Sequence, residues 1–171
     1  MKKQFLILVM MSLSMIALAQ SIAIDGIYTI DGIRYNLSGT SATLVSGDYK
    51  KFSGMTIPQA VNYKNKSYIV TAIGTEAFMD CTNLKFIIIP NSVTSIGENA
   101  LSGCTGLTSI EIPNAVTSIG ERTFMGCSGL ASIIVADGNI VYDSREGCNA
   151  IIETATNTLI SGCQNTIIPI V

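Results

Sequence analysis

The chain has 171 residues, with 12 Asp and Glu against 10 Lys and Arg, 5 Cys, and neither His nor Trp. Without His the commonest general base and metal ligand is missing, no C-x-x-C pair marks a zinc site, and the scattered charges form no patch to grip a phosphate backbone. At 48% hydrophobic and 13% charged residues the composition is that of one folded domain rather than a disordered chain.

Lys2 and Lys3 precede an apolar run from Phe5 to Leu18, and Ala17-Leu18-Ala19 offers small residues at the two positions a signal peptidase reads. The pattern predicts a signal peptide over 1–19, cleaved before Gln20. The run is shorter than the roughly 20 residues of a membrane span, and Ser12 and Ser14 interrupt it. Loss of Lys2 and Lys3 takes the formal charge from -2 to -4. No Cys stands at the cleavage site to accept a lipid. The mature chain is expected to be exported, to the cell surface, the periplasm or the medium, and not lipid-anchored.

From Ile22 to Gly47 the sequence reads as strands and turns. Ile24-Asp25-Gly26-Ile27-Tyr28 is echoed by Ile30-Asp31-Gly32-Ile33-Arg34-Tyr35, with Asp-Gly as a tight-turn signal, and Thr43-Leu44-Val45 supplies a further strand. This segment is expected to cap the first apolar face of the repeats after it; a small separate binding domain is the competing reading. Phe52, Met55, Ile57 and Pro58 then open an irregular repeat. Its extra residues, around Tyr63-Lys64-Asn65-Lys66-Ser67-Tyr68, read as a β-hairpin, either presented to a partner or simply solvated.

The stretch from Ile73 to Val135 repeats itself. Ile73-Gly74, Ile96-Gly97 and Ile119-Gly120 recur at a step of 23, as do Cys81, Cys104 and Cys127, and Leu84, Leu107 and Leu130. Such a period means stacked supersecondary units. Within a unit, Leu84-x-x-Ile87-x-Ile89-Pro90 describes a short half-buried strand closed by Pro. Val93 and Ile96 point inward from a second short strand, Gly97 is expected to supply a positive φ at a corner, and Glu98 to Ser102 to form a helical turn facing Ala100 and Leu101 to the core. One unit alone cannot repay its ordering entropy, so stability must come from stacking.

The unit from Ile89 to Ile110, I-P-N-S-V-T-S-I-G-E-N-A-L-S-G-C-T-G-L-T-S-I, resembles the BspA-like subclass of bacterial leucine-rich-repeat surface proteins, and the resemblance covers nearly all the chain after the leader. It implies a β-rich solenoid, a right-handed superhelix of short strands and helical turns with a β-hairpin N-terminal cap. On that reading 1–19 is the leader, 20–52 the cap and 53–171 the solenoid with an irregular C-terminal unit. The resemblance also suggests attachment to host matrix or to other cells.

After Val135 the period breaks. Ala150 to Thr154 and Thr158 to Ile160 face each other across Ala155-Thr156-Asn157 as a second hairpin, and Ile168-Pro169 repeats the Ile89-Pro90 ending. Cys148 and Cys163 fall nearly opposite in that register, which leaves a disulfide open, whereas Cys81, Cys104 and Cys127 are expected as buried parallel thiols. An uncapped end after Pro169 would be a surface for self-association.

No G-x-S-x-G or phosphate-cradling loop is present, and Glu98 and Glu121 recur as turn-start residues rather than as a catalytic pair. The chain is therefore expected to have no enzymatic activity, cofactor, nucleic acid or small-molecule substrate. What remains is the outward face of the strand sheet, where Lys85, Thr108 and Ala131, then Phe86, Ser109 and Ser132, then Ile88, Glu111 and Ile134 stack in columns. Phe86, Ile88 and Ile134 are the candidate anchors for a protein partner. The competing readings are that isolated exposed apolar residues are ordinary, or that a cap covers them.

Overall fold

The computed structural model describes residues 25–167; the expected leader and the Ile168-Pro169 ending lie outside the described residues. At the N-terminal side, β1 (Gly26–Ile30) and β2 (Ile33–Ser38) pair antiparallel, and β3 (Ser41–Leu44) returns along β2. The β1–β2 turn is Asp31-Gly32, with φ of 51° and 80°, the doubly positive geometry that matches the twist of a tight hairpin. Alternation along β2 and β3 buries Tyr35, Leu37, Ala42 and Leu44.

After β4 (Gly54–Thr56), the expected hairpin is present as β5 (Ala60–Tyr63) and β6 (Lys66–Ile73), turning at Lys64-Asn65 with φ of 47° and 62°. Its tip is packed. The Tyr63 ring lies 4.3 Å from that of Tyr28, and Lys66 Nζ donates to the Gly39 carbonyl at 2.6 Å.

The regular units contribute β7 (Phe86–Ile88), β8 (Ser95–Ile96), β9 (Ser109–Ile112), β10 (Ser118–Ile119) and β11 (Ser132–Val135). β6 pairs parallel with β3 on one side and β8 on the other, and β10 continues the sheet with Ser95 opposite Ser118. On a second face β4 pairs with β7 and β9 with β11, all parallel, with Ser109 opposite Ser132. Parallel pairing at a constant step carries each inward side chain onto its equivalent, so Leu84, Leu107 and Leu130 are all buried, as are Phe78, Leu101 and Phe124. The N-terminal meander shares this core, since Tyr35 and Leu44 belong to the same cluster as Ile73 and Leu107. The architecture is a β-rich repeat fold.

Two local expectations are corrected. Glu98 to Ser102 is not a helical turn: Asn99, like Glu76 and Arg122 at the equivalent places, has φ near 50° (52°, 55° and 54°). The left-handed residue turns alternate amides out of the unit. Ala100 N–H closes a local turn to the Gly97 carbonyl, while Asn99, Leu101 and Gly103 N–H donate to the Glu121, Thr123 and Met125 carbonyls of the next unit at 3.0, 3.0 and 2.8 Å. A helix would have spent these donors on itself.

Nor does Gly97 have a positive φ. Its role is close approach: a Cβ there would lie 2.5 Å from Thr75 N, and one on Gly120 would lie 2.3 Å from Glu98 N and 2.6 Å from Gly97 C. The same glycines donate N–H to the preceding unit, Gly97 to Ile73 and Gly120 to Ile96, each at 2.8 Å.

The last unit breaks the rhythm with β12 (Tyr142–Asp143), one 3-10 turn (Arg145–Gly147), β13 (Ala150–Glu153) and β14 (Thr158–Gly162), the strands joined antiparallel. The expected hairpin is there, Glu153 opposite Thr158. Side chains take over from backbone at this end. Asn139, at the place of Val93 and Val116, donates to the Pro113 and Val116 carbonyls, both at 2.9 Å. Tyr142, at the place of Ile96 and Ile119, accepts the Ile119 N–H on its hydroxyl at 3.2 Å. Ser144 accepts the Val135 N–H at 3.0 Å, and Asn165 Nδ2 donates to the Ala131 carbonyl at 3.1 Å. Asp143 and Arg145 form a two-pronged ion pair (2.8 and 2.6 Å) that fixes the turn and, through its hydrogen bonds, holds the Asp143 carboxyl below the usual range.

Because the three atoms nearest the Gly120 Cβ position are backbone, which cannot swing aside, Gly120→Ala is expected to destabilise the fold by about 1–3 kcal/mol. Denaturant unfolding checks this, and an unchanged midpoint would mean that the units can move apart freely.

Candidate interaction surface

The strands β4, β7, β9 and β11 hold their alternate residues in fixed outward directions because the intervening ones, Ile87, Ile110 and Ile133 among them, are locked in the core. Phe86, Ile88 and Ile134 are 48%, 55% and 53% exposed, large values for apolar side chains on a sheet. Lys85, Ser109, Glu111 and Thr108 are exposed as well. Thr108 Oγ1 donates to the Lys85 carbonyl at 3.3 Å. Ser132 is half-buried, its hydroxyl 3.4 Å from Asn149 Oδ1, so the last unit draws it partly out of the face.

The face is divided. Pairing brings Ser109 against Ser132 and Glu111 against Ile134 on one side, and Phe86 against Gly54 and Ile88 against Thr56 on the other. Between β7 and β9 the backbone contact narrows to one bond, Thr108 N–H to the Lys85 carbonyl at 3.2 Å. Beyond it a groove of about 350 Å³ opens, lined by Ile87 to Asn91 with Glu111 and Pro113. Phe86 is not a free probe either: its ring lies where a Cβ on Gly54 would be, 2.2 Å from that position. An aromatic side chain thus covers the neighbouring strand's glycine, leaving Ile88 and Ile134 as the freer apolar contacts.

Sequence reasoning missed the groove, for β7 and β9 carry the same alternation. It also missed a second groove, of about 410 Å³, between the Ile119 to Met125 segment and Leu159 to Ser161 of β14. Met125, Leu159 and Ile160 are exposed there, and the only earlier signal was an apolar pair on an outer hairpin strand.

All five cysteines are free thiols, and no Cys148–Cys163 bridge is formed. Cys104 and Cys127 donate to the carbonyls of Phe78 and Leu101 in the preceding unit, both at 3.1 Å. Burial pushes their thiols up to about 12 and about 11, so neither presents a thiolate near neutral pH. Among the described residues no group of three or more His, Cys, Asp or Glu is placed to hold a metal ion, and no helix is long and apolar enough to cross a membrane.

The BspA-type leucine-rich-repeat region model matches residues 49–159 in six copies. The chain belongs to the BspA-type leucine-rich-repeat family. No curated protein matches it. Solved structures similar to this BspA-type chain include the pneumococcal vaccine antigen PcpA, at 14% identity over 83% of this chain and 57% of that one, with a TM-score of 0.48. The chain thus spans little more than half of that antigen's structure. A leucine-rich-repeat protein from Bacteroides capillosus is 19% identical over 66% of this chain and 99% of that one, with a TM-score of 0.49. One from Bacteroides ovatus is 26% identical over 64% and 40%, with a TM-score of 0.39.

Treating the native BspA-type protein with iodoacetamide at mildly alkaline pH is expected to label Cys163, the half-buried thiol, and to leave Cys81, Cys104, Cys127 and Cys148 unmodified until denaturant is added. Mass spectrometry of the peptides reads the result. Native labelling of Cys104 would contradict the packing of the thiol column.

Proposed function

We propose that this protein is an exported, non-enzymatic binding module that attaches to a protein partner, of the host extracellular matrix or on another cell, through the outward face of β4, β7, β9 and β11. The observation that carries the reading is the pair Ile88 and Ile134, more than half exposed on strands whose inward neighbours are fixed in the core. A preformed sheet presents such side chains without an ordering cost on binding, and half-exposed apolar groups beside a groove are the natural centre of an interface. Glu111, between them in the same column, adds a charge that sets partner choice more than affinity.

The same reading takes the stack as a right-handed solenoid, 20–52 as its N-terminal cap, 53–171 as the repeat array and 1–19 as a cleaved leader. Parallel ladders at a constant step support the solenoid, and the pairing of β3 with β6 supports the cap. The surface role rests on the resemblance of the repeat unit to BspA-like surface proteins, and the BspA-type family match over residues 49–159 supports that resemblance.

The test is binding of the purified exported protein to an immobilised extracellular-matrix preparation, compared with a double variant, Ile88→Thr with Ile134→Thr. Threonine keeps the strand propensity while removing the apolar contact. Loss of affinity on the order of tenfold or more is expected, as for residues at the centre of an interface. Equal binding by the variant would exclude this face, and no binding by either protein would exclude the matrix as partner.

A further inference from the structure

Three ladders run along the stack: the two faces of strands and the row of turns between them. The last unit closes the strand faces with Asn139, Tyr142, Ser144 and Asn165, but it leaves the turn row open. Inside the stack this row is made twice in the same way. Glu76, Phe78 and Asp80 N–H donate to the Glu98, Ala100 and Ser102 carbonyls at 2.9, 2.8 and 2.8 Å, and Asn99, Leu101 and Gly103 N–H donate to Glu121, Thr123 and Met125. The next donors in the series are Arg122, Phe124 and Gly126, and among the described residues no carbonyl takes them. At the opposite end the carbonyls of Thr75, Ala77 and Met79 hold the acceptor places, and none of them receives a donor among the described residues. The loop between β3 and β4 packs Tyr49 against Phe78, ring centroids 5.2 Å apart, without supplying one.

We propose that the open turn row is the site at which a second copy of this chain docks head to tail, the Arg122, Phe124 and Gly126 amides of one copy pairing with the Thr75, Ala77 and Met79 carbonyls of the next. The chain carries both halves of a junction it already makes twice internally.

The side chains agree with the backbone. Continuing the columns at the usual strand spacing of about 4.8 Å puts Glu76 of the next copy directly after Arg122. The acceptor end bears exposed Glu76 and Asp80, and the donor end bears exposed Arg122, whose only ion pair among the described residues is a loose one of 3.9 Å to Glu98. Opposite charge therefore meets where Arg122 faces Glu76, with Glu121 beside Arg122 on the donor row and Lys50 of the β3–β4 loop near Cys81 at the acceptor end as the opposing charges. In the outer column the residues are Met79, Ser102 and Met125; the interior Ser102 is 7% exposed, while the terminal methionines are 41% and 56% exposed. Docking brings Met125 of one copy onto Met79 of the next and covers the groove beside Leu159 and Ile160. The contact is heterologous, so it does not close at two copies but propagates.

Light scattering of the purified exported protein across a concentration series tests this, alongside the Arg122→Glu and Glu76→Arg variants. Both substitutions are on exposed side chains, and circular dichroism serves to check that the variants keep the wild-type fold. For the wild type, mass should climb with concentration without settling at a dimer. Each variant alone should remain monomeric, because its joint sets like charges together, and an equimolar mixture of the two should regain association. A wild type that stays monomeric throughout, oligomers untouched by either substitution, or a mixture that stays monomeric would each overturn the proposal.

Discussion

The close approach of neighbouring backbones at Gly74, Gly97 and Gly120 is the constraint on which the remaining structure depends. At each of these residues the N–H reaches back to the preceding unit's strand end, Leu44, Ile73 or Ile96, at 2.7 to 2.8 Å, and there is no room for a Cβ. Two residues on from Gly74 and Gly97 the left-handed residue, Glu76 or Asn99, sends its amide forward to the following unit, so these units bond in both directions. An isolated unit would leave those groups to water and its apolar side chains half bare, so the array is stable only as a stack. Holding Glu76 and Asn99 in the left-handed region costs about 1 kcal/mol each, which the cross-unit bonds and the burial beneath them offset.

A stack has two ends and, on β4, β7, β9 and β11, a strand face with exposed apolar residues, and these define what the molecule can offer to others. The face presents Ile88, Glu111 and Ile134 on a backbone that needs no further ordering. The ends are treated unequally. Asn139, Tyr142 and Ser144 imitate the missing strand by placing a side-chain amide, a phenol and a hydroxyl where backbone partners would have been, whereas among the described residues nothing of the kind is placed beyond Arg122, Phe124 and Gly126. Satisfying buried backbone groups is obligatory and satisfying exposed ones is not, which is why the inner ladders are sealed first.

Much of this was legible in the sequence. The step of 23 fixed which residues stack, Asp-Gly announced the β1–β2 turn, and the β5–β6 hairpin was announced by two tyrosines around a polar tip, Tyr63 to Tyr68. The burial of Leu84, Phe78 and their equivalents followed from the pattern. What escaped depends on the neighbouring unit rather than on local composition. Glu98 to Ser102 has helix-compatible residues, and the left-handed φ that Asn99 shares with Glu76 and Arg122 belongs to the turn of the stacked unit and is not visible in composition. Gly97 looked like a corner glycine because a single unit gives no hint that another backbone lies 2.5 Å from its Cβ position. The groove between β7 and β9 divides a face whose columns read as continuous, and Tyr142 could be recognised as a ladder-closing residue only once its hydroxyl was seen at Ile119.

Native-state hydrogen exchange at dilute protein concentration tests most directly whether cross-unit bonds make the stack one cooperative body. The amides of Gly97, Asn99, Leu101, Gly103 and Gly120 should share a single opening free energy and denaturant dependence equal to those of global unfolding. Exchange of Leu101 and Gly103 at the rate of an open loop, or opening of this unit independently of its neighbours, would contradict the account.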